Sequence, residues 1–363
     1  MKKVVWPVIG LFVLAGAWLG IAHSPMGSRM LFDEVCKDKP SVVWAEFLVV
    51  SGADVFARTD SGLYLLDEAC LTDNEAVRML LEHVDRLPYD SKALQKACVF
   101  NHVYIARRLL ELGADPNVKT ENMFGPSSSL LESACYRDDA YLADALLDHG
   151  ADANEKDSYG EAHLENAVRL GRCDLAETLL RHGANPNGRI HQDDPYLNIA
   201  CLGGYSEERE CDKERLVAVL LNAGCNPNMA DSHQLTALHM LNFKNAARAD
   251  RVVGALLAHG ADTNARDKYG DTPLICAING DKDAVAMALI MHGADPNAAN
   301  NALERFPLYC AIRKGKADLV KALIDHGADV NALVEGKTLL RYFSSREVDT
   351  EIIQVLQKAG AHM

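Results

Sequence analysis

The sequence predicts an all-α fold, built from about ten helix-turn-helix repeats with β-turn fingers between them. Three observations support this prediction. One glycine-containing turn recurs along most of the chain, and two apolar helical segments precede each copy of it. The composition, 48% hydrophobic and 24% charged over 363 residues, is that of an ordinary folded protein. The length therefore reflects the number of copies rather than the number of domains.

The recurring turn reads Gly-Ala-Asp-x-Asn or a close variant, at intervals of 33 to 41 residues. Its clearest glycines are Gly113, Gly150, Gly183, Gly224, Gly260, Gly293 and Gly327. The series extends to Gly52 and Gly360, and one degenerate copy fills the gap before Gly113. A fixed period of this size indicates stacked repeats, in which each unit completes its core against its neighbours.

Within each copy the elements follow one order. The first helix ends in a small pair, as in Ala97-Cys98 or Ala200-Cys201, so neighbouring units can approach closely. The second helix carries apolar residues at helical spacing, as in residues 284–290. Glycine then ends this helix in the left-handed conformation. The Asp and Asn of the turn are expected to bond their own backbone.

The segment before the first helix identifies the family that this repeat resembles. It reads Thr-Pro-Leu-Ile at 272–275, Phe-Pro-Leu-Tyr at 306–309 and Thr-Ala-Leu-His at 236–239. These segments resemble the Thr-Pro-Leu-His signature of ankyrin repeats, and the resemblance covers residues 27–363 as one repeat domain. Only His239 keeps the signature histidine. The first three copies are degenerate, and the last has a charged second helix that is typical of a terminal cap.

The first residues form a separate unit. Lys2 and Lys3 precede an uncharged apolar run over residues 4–22, which is typical of an export signal. Residues 1–24 are therefore expected to be a signal peptide or an uncleaved inner-membrane anchor. Cleavage needs small residues at the −3 and −1 positions, and either Gly20 with Ala22 or Ala15 with Ala17 supplies them. A misassigned start of translation is a third interpretation. The protein is then expected in the periplasm or on the inner membrane facing it.

Two methionines, Met26 and Met30, follow this apolar run directly. Translation from either would leave every repeat in place and remove the export signal. The sequence therefore also allows a cytosolic form.

The charge excludes one class of partner and favours another. Asp and Glu number 51 against 37 Lys and Arg, which gives a net charge of −14. Nucleic acid is excluded as a partner, because phosphate binding needs a basic face. A charge-steered partner should instead offer a basic surface. The chain contains no nucleophile elbow, zinc-protease or phosphate-loop motif, so neither an enzyme nor a cofactor is expected.

The cysteines and histidines are expected to be structural. Most cysteines occupy equivalent positions on first helices, about 10 Å apart, which is too far for disulfides. Cys211 lies in a charged insert at 206–215, and a bridge to Cys201 or to Cys225 would fix that insert. A row of histidines precedes the turn glycines, where imidazoles either bind the last helix carbonyls or hold a metal; we expect the former. The row consists of His149, His182, His259, His292 and His326.

Exposed finger residues between repeats are the expected binding surface, because ankyrin-type stacks bind partners through fingers and first helices. Aromatic and Met side chains among charges are typical of interface hot spots. Met123 and Phe124 have a second interpretation, in which they fold back onto the previous finger. The predicted contact residues are Asn122, Met123, Phe124, Lys156, Asp157, Tyr159, Ile190, His191, Asp193, His233, Gln234, Asp267, Lys268, Tyr269 and Arg305.

The resemblance implies a protein-binding scaffold, monomeric when free. Exported ankyrin proteins of Gram-negative bacteria include immunity proteins that neutralise secreted effectors such as type VI lipases. An acidic groove that covers a basic or apolar effector site is therefore the first expectation. The alternative is an accessory factor in oxidative-stress defence. The two are distinguished by the neighbouring gene, which would encode an effector or a catalase.

Overall fold

A computed structural model describes residues 24–37, 42–50, 53–58, 64–88, 91–120, 128–202, 210–300, 305–344 and 349–362. The chain divides into two compact units, Met1–His163 and Leu164–Met363. The prediction of an all-α repeat fold is confirmed, since 20 helices and a few two-residue strands make up the described elements. The expected signal or anchor over residues 1–24 lies almost wholly outside the described part, which begins at Ser24.

The described part of the first unit contains eight complete helices and one short hairpin. The helices are α1 (Pro25–Val35), α2 (Val42–Val50), α3 (Leu65–Ala69), α4 (Glu75–Glu82), α5 (Ala93–Val99), α6 (Val103–Glu111), α7 (Leu130–Tyr136) and α8 (Ala140–Asp148). Strands β1 (Lys119–Thr120) and β2 (Ser128–Ser129) pair antiparallel, with Lys119 opposite Ser129. Helix α9 (His163–Leu170) begins at the last residue of this unit.

The second unit continues the same order. Its helices after α9 are α10 (Cys173–Arg181), α11 (Tyr196–Leu202), α12 (Glu210–Asn222), α13 (Ala237–Met240), α14 (Ala246–Ala258), α15 (Pro273–Asn279), α16 (Asp283–Met291), α17 (Pro307–Arg313), α18 (Ala317–Asp325), α19 (Leu339–Phe343) and α20 (Thr350–Lys358). Two hairpins pair antiparallel, β3 (Arg189–Ile190) with β4 (Asp194–Pro195) and β5 (Leu333–Val334) with β6 (Lys337–Thr338).

Within each unit the helices follow one another in pairs. The first helix of a pair packs on the first helix of the next pair, as α5 does on α7 and α15 on α17, and second helices pack on second helices. The small residues at the ends of the first helices allow this approach: Ala97, Cys98 and Cys201 are fully buried. No described helix is both long and apolar enough to cross a bilayer.

The turn glycine has the conformation that the sequence predicts. Gly260 has φ +86° and Gly293 has φ +82°, in the left-handed region that glycine adopts without strain. The Asp two residues later bonds its own turn, since Asp262 Oδ1 accepts from the backbone N–H of Asn264 at 2.9 Å. This part of the turn prediction is confirmed.

The turn asparagine has a different role from the predicted one. Asn228 donates through Nδ2 to the carbonyl of Gly260 and accepts at Oδ1 from the N–H of Asp262, both at 2.8 Å. Its carboxamide therefore connects its own turn to the turn of the next repeat; we call this pair of bonds the staple. Asn297 forms the same staple to Gly327 at 2.9 Å and to Asp329 at 2.8 Å. The expectation that asparagine bonds its own backbone is wrong here, because the next turn offers a carbonyl and an N–H together.

Three histidines of the row bond to helix ends, as expected. The Nδ1 atoms of His149, His259 and His326 lie 2.8, 2.9 and 2.8 Å from the carbonyl four residues earlier. A carbonyl only accepts, so each of these Nδ1 atoms donates and satisfies one of the last helix carbonyls. His292 differs, because its Nε2 lies 3.0 Å from Oδ1 of Asp250 on α14.

Candidate protein-binding surface

Two fingers of the second unit are each closed by an aspartate at their start. Asp231 Oδ1 accepts from the N–H groups of His233 and Leu235, both at 2.8 Å. Asp267 Oδ1 does the same for Tyr269 at 2.9 Å and Asp271 at 2.8 Å. A side chain that bonds the backbone two and four residues later closes a tight turn. These aspartates therefore shape the fingers through hydrogen bonds to the backbone.

In the first unit one finger is made in the same way. Asp157 Oδ1 accepts from the N–H groups of Tyr159 and Glu161, both at 2.9 Å. Tyr159 at its tip is 88% exposed. This finger presents Lys156 and Tyr159, as the sequence predicts.

In the second unit successive fingers bond to one another. Ser232 donates to Asp193 through its backbone N–H and its hydroxyl, both at 2.8 Å. The N–H of Lys268 donates to the carbonyl of His233 at 2.9 Å. Asn300 Nδ2 donates to the carbonyl of Tyr269 at 2.6 Å. We call residues 189–195, 231–235 and 266–271 the finger row, and these bonds hold it as one connected surface within the unit.

Two arginines connect neighbouring fingers through hydrogen bonds to backbone carbonyls. Arg266 donates to the carbonyls of Gly270 and Ala299, both at 2.8 Å. Arg189 donates to the carbonyl of Ala230 at 3.0 Å and to the carbonyl of Asp193. Each guanidinium thus joins its own finger to the next, and a preorganised surface loses less entropy when a partner binds.

The third residue of a first helix bonds to the next finger in six repeats; we call this the pin. Three pins are acids that accept from the next finger, and three are donors to a backbone carbonyl of that finger. The acids are Asp67 to Ser91 Oγ at 2.7 Å, Glu132 to the N–H of Ser158 at 3.2 Å, and Glu165 to the N–H of His191 at 3.1 Å. The donors are Gln95 to Lys119 at 3.1 Å, Asn198 to Leu235 at 2.7 Å, and His239 to Asp271 at 3.2 Å.

The pin explains why only one repeat keeps the signature histidine. His239 accepts at Nδ1 from the N–H of Thr236 at 3.2 Å, so Nε2 carries the proton that goes to Asp271. The ring is buried, and burial lowers the pKa of His239. Carboxylates and carboxamides reach the same finger backbone elsewhere. Comparison with the Thr-Pro-Leu-His signature does not reveal the pin, although the polar residue at the third helical position is visible in the sequence.

The finger row presents a mixed polar and aromatic surface. Tyr269 is 62% exposed, and Nζ of Lys268 lies 5.0 Å from its ring centroid. His191, His233 and Gln234 are exposed beside them. The row carries five carboxylates and three cationic side chains, so it is acidic on balance.

Hydrogen bonding and burial shift the pKa values of two adjacent acids in opposite directions. These acids, Asp193 and Asp194, lie in the first finger of this row. The bonds from Ser232 hold the pKa of Asp193 below its ordinary value. Partial burial raises the pKa of Asp194, and the charge of Asp193 adds to this effect. Asp193 therefore keeps its negative charge while it connects two fingers.

The structure shows which of the predicted contact residues are buried and which lie together on the surface. Ile190 and Asp267 are buried, at 4% and 7% exposure, so neither offers surface to a partner. Asn122, Met123 and Phe124 lie outside the described residues. Arg305 pairs through its backbone with Asn300, 2.6 Å from N to O, at the finger that follows the row. The predicted residues that the second unit brings together in the row are His191, Asp193, His233, Gln234, Lys268 and Tyr269.

Asp267 and Asp271 of this row, together with Cys276 on α15, have the residue types of a metal site. Ligand atoms of Asp267, Asp271 and Cys276 lie within 4.8 Å of one another. Asp267 Oδ1 is taken by two backbone N–H groups, and Asn300 donates to Asp271 Oδ1 at 2.6 Å. Burial, with the charge of Asp267, raises the pKa of the Cys276 thiol to about 12. Turn closure and a protonated thiol account for this group.

The described cysteines are free thiols, and most are buried. Burial raises the pKa of Cys70 and of Cys98 to about 12. This confirms their interpretation as small core residues. Cys201 is a free thiol in this structure, whereas the side chain of Cys211 lies outside the described residues, so the Cys201–Cys211 bridge stays a prediction.

The charged insert before Cys225 is helical in its second half. Spacing alone predicts that this insert lies in the loop between the two helices of its repeat. Helix α12 begins at Glu210, so that prediction is wrong for the second half of the insert, which lengthens the second helix. Arg215 pairs with Asp174 at 2.6 Å and Glu177 at 2.7 Å on α10. Glu214 pairs with Arg251 on α14 at 2.5 Å. Charged residues here join three successive second helices.

Known proteins support the repeat assignment. The family model for ankyrin repeats matches three times, over residues 36–120, 208–300 and 286–363, which together exceed half of the chain. Among solved structures, the ankyrin repeat domain of Bcl-3, described as a unique member of the IkappaB protein family, is similar at 26% identity, 57% coverage of this chain, 89% coverage of that chain and a TM-score of 0.47. A search of curated proteins gives no match. On the matched repeats, the chain belongs to the ankyrin-repeat family and is a protein-binding scaffold.

Proposed function

We propose that this chain is a periplasmic immunity protein, which binds and neutralises a secreted antibacterial effector such as a type VI lipase. The observation that carries the proposal is the finger row, a connected surface with an exposed tyrosine, imidazoles and an acidic balance. A basic effector surface, or a basic rim around an apolar active site, fits this chemistry. The step from protein binding to immunity rests on the resemblance to exported ankyrin proteins.

The acidic balance favours fast capture. Opposite charges on two proteins raise the association rate, and this effect falls with ionic strength. Binding through the finger row should therefore slow when salt increases, with Tyr269 supplying contact area after encounter.

Survival in the presence of the effector tests the proposal. The chain is expressed with its export segment in a sensitive strain, together with the effector encoded by the neighbouring gene. We expect protection by the natural chain, and a complex of the two proteins that withstands purification. Failure of both protection and complex formation would reject the immunity role.

Variants assign the binding surface. Tyr269→Ala combined with His233→Ala should weaken effector binding at least tenfold, which corresponds to about 1.4 kcal/mol. Lys321→Ala on α18 is the matched control, since this exposed side chain lies away from the fingers, and it should leave binding unchanged. Equal effects of the two changes would place the interface elsewhere.

The accessory role in oxidative-stress defence remains the alternative. It would be supported by an adjacent catalase gene and by peroxide sensitivity of a deletion strain. Immunity predicts neither result.

A further inference from the structure

One edge of the first unit exposes large hydrophobic side chains where the first helix of a repeat passes into the second. Val99 and Tyr136 are the last residues of α5 and α7, and Tyr104 and Tyr141 are the second residues of α6 and α8. Their exposed fractions are 50% for Val99, 84% for Tyr136, 46% for Tyr104 and 78% for Tyr141, and Phe100 beside them is 54% exposed. Two consecutive repeats thus present rings at equivalent positions.

This exposure is not a requirement of the repeat. The corresponding loops in the described part of the second unit expose Leu170 and Leu202 but no aromatic side chain. Exposed apolar patches with polar residues around them mark interaction sites, and tyrosine is enriched among interface hot spots. We call three successive loops of the first unit the loop edge; they comprise residues 71–76, 99–104 and 136–141.

Hydrogen bonds hold the loop edge in one conformation. Arg137 donates to the carbonyls of Cys98 at 2.6 Å and Val99 at 2.7 Å, and so joins its loop to the preceding one. Nδ1 of His102 lies 3.1 Å from the carbonyl of Cys70, one loop earlier, and a carbonyl only accepts, so this nitrogen donates. A surface that is already ordered loses less entropy when a partner binds.

Charge on the loop edge favours a cationic partner. The edge contains four carboxylates and one guanidinium group, that of Arg137. Arg78, just outside it, pairs with Asp73 at 2.8 Å and lies 4.7 Å from the ring centroid of Tyr104. With Arg78 included the edge is still acidic, which disfavours nucleic acid and anionic lipid. The stacked Arg78 also shows that the exposed rings can accept a cation on their faces.

The spacing of the rings indicates the conformation of the partner. Helix α5 packs on α7 and α6 on α8, so equivalent side chains of the two repeats lie about 8–10 Å apart. A polyproline II helix returns to the same face every third residue, after about 9 Å. A β-strand returns after two residues, about 7 Å, and does not match this spacing.

Hydrogen bonding separates polyproline II from the α-helix. An α-helix returns to the same face after seven residues, about 10.5 Å, but its carbonyls are bonded within the helix. The carbonyls of polyproline II have no internal partners, so they can accept from tyrosine hydroxyls. Tyr104 and Tyr141 offer such hydroxyls at equivalent positions.

We propose that the loop edge binds a proline-rich segment of a partner protein in the polyproline II conformation, with arginine or lysine at one end. Residues three apart in the segment would lie against Val99 and Tyr104 in one repeat and against Tyr136 and Tyr141 in the next. The basic end would lie near the carboxylates of the loop edge. The site belongs to the first unit, whereas the finger row belongs to the second, and it does not depend on the immunity role.

Three blocked twelve-residue peptides test the proposal on the full chain by titration calorimetry. The first has proline at every third position, leucine and alanine between the prolines, and two arginines at one end. The second replaces each proline by alanine, which favours an α-helix. The third replaces the arginines by glutamate. We expect the natural chain to bind the first peptide at least tenfold more tightly than the second and at least threefold more tightly than the third.

Variants assign the binding to the loop edge. Tyr136→Ala combined with Tyr141→Ala removes two exposed rings and should lower the affinity for the first peptide at least tenfold. Tyr159→Ala is the matched control, because this tyrosine is 88% exposed in the same unit but lies on a finger. It should leave the affinity unchanged. Circular dichroism verifies that both proteins are folded.

Four results would overturn the proposal. The first is equal or undetectable binding of the three peptides by the natural chain, a comparison that needs no variant. The second is tighter binding of the alanine peptide, which would indicate a helical partner. The third is unchanged binding in the folded double variant. The fourth is self-association of the natural chain in sedimentation that the double variant abolishes, which would assign the loop edge to a second copy of this chain.

Discussion

Two turns of this molecule join consecutive repeats by different means. The turn that contains Asn228 connects to the next through two hydrogen bonds of 2.8 Å, whereas the turn that contains Leu87 makes neither bond and borders an open cleft. Both are followed by a left-handed glycine, Gly260 and Gly113, and by the same Asp-centred turn. A repeat therefore keeps its local conformation when the connection to its predecessor changes. The sequence of the preceding turn decides whether the backbone between repeats is satisfied internally or left available.

The largest expected effect comes from removing a staple. Asn228→Leu should lower the free energy of unfolding of its repeats by about 1–3 kcal/mol, because it removes two hydrogen bonds, each of which contributes about 0.5–1.5 kcal/mol. Urea denaturation measures the change in the global free energy of unfolding, and hydrogen exchange at the amide of Asp262 measures the change in local stability. Leu87→Ala is the comparison variant, and it should leave the hydrogen-exchange rate of the Asp115 amide unchanged. A change within about 0.5 kcal/mol for Asn228→Leu would show that the staple is unimportant.

A smaller effect separates the two kinds of donor pin in the second unit. Burial lowers the pKa of His239 below its ordinary 6.5, so the unfolded chain binds this proton first as the pH falls. The contribution of neutral His239 is full above pH 6.5 and is lost as the pH falls toward the lowered pKa of the folded state. Asn198 makes the equivalent bond at 2.7 Å with a group that does not titrate.

Replacement of the imidazole tests this difference. His239→Asn should reduce the loss of stability between pH 7 and pH 5, measured as the urea midpoint at each pH. The same replacement at exposed His259 is the control and should leave the slope nearly unchanged. A slope that persists in His239→Asn would assign the pH dependence to other groups, with buried His163 as the first to examine, because burial also lowers its pKa.

The smallest expected effect concerns the equivalent cysteines of the two units. Cys98 and Cys201 are fully buried, and burial raises the pKa of both thiols, so neither should react with iodoacetamide in the native protein. Over longer times Cys98 should react first, since its repeat lacks a staple on one side. Peptide mapping after timed labelling measures both rates. Faster labelling of Cys201 would contradict the idea that the staple limits local opening.

The sequence predicts the fold well because its signals are local and repeated. Glycines at a fixed period, small residues at the ends of first helices, and aspartates that close their own turns all act within one repeat. What the sequence misses lies between repeats. The staple of Asn228 and the pin of Asn198 each bond a residue more than thirty positions away, and nothing in the local pattern names that partner.

The candidate site is predicted only in part for the same reason. The positions of the fingers follow from the period, so exposed Tyr159 and Tyr269 are placed correctly. Ile190 is buried because its strand pairs with β4, a contact that a list of variable positions does not contain. The turn after α4 lacks the staple, and its signal in the sequence is Val84-Asp85-Arg86-Leu87-Pro88, where other copies have Gly-Ala-Asp-x-Asn.

The staple also sets a rule for how this chain can change its length. A turn such as that of Asn297 provides a carboxamide to its successor, while the N–H of its Asp295 donates to Oδ1 of Asn264 in its predecessor at 3.2 Å. Such a repeat carries one half of each junction, so a duplicated copy inserted beside it would find a match on both sides. A copy inserted directly after Leu87 would meet no carboxamide. Gene duplication can therefore extend the stapled series without redesign, whereas the junction at Leu87 is a place where the repeats are not interchangeable.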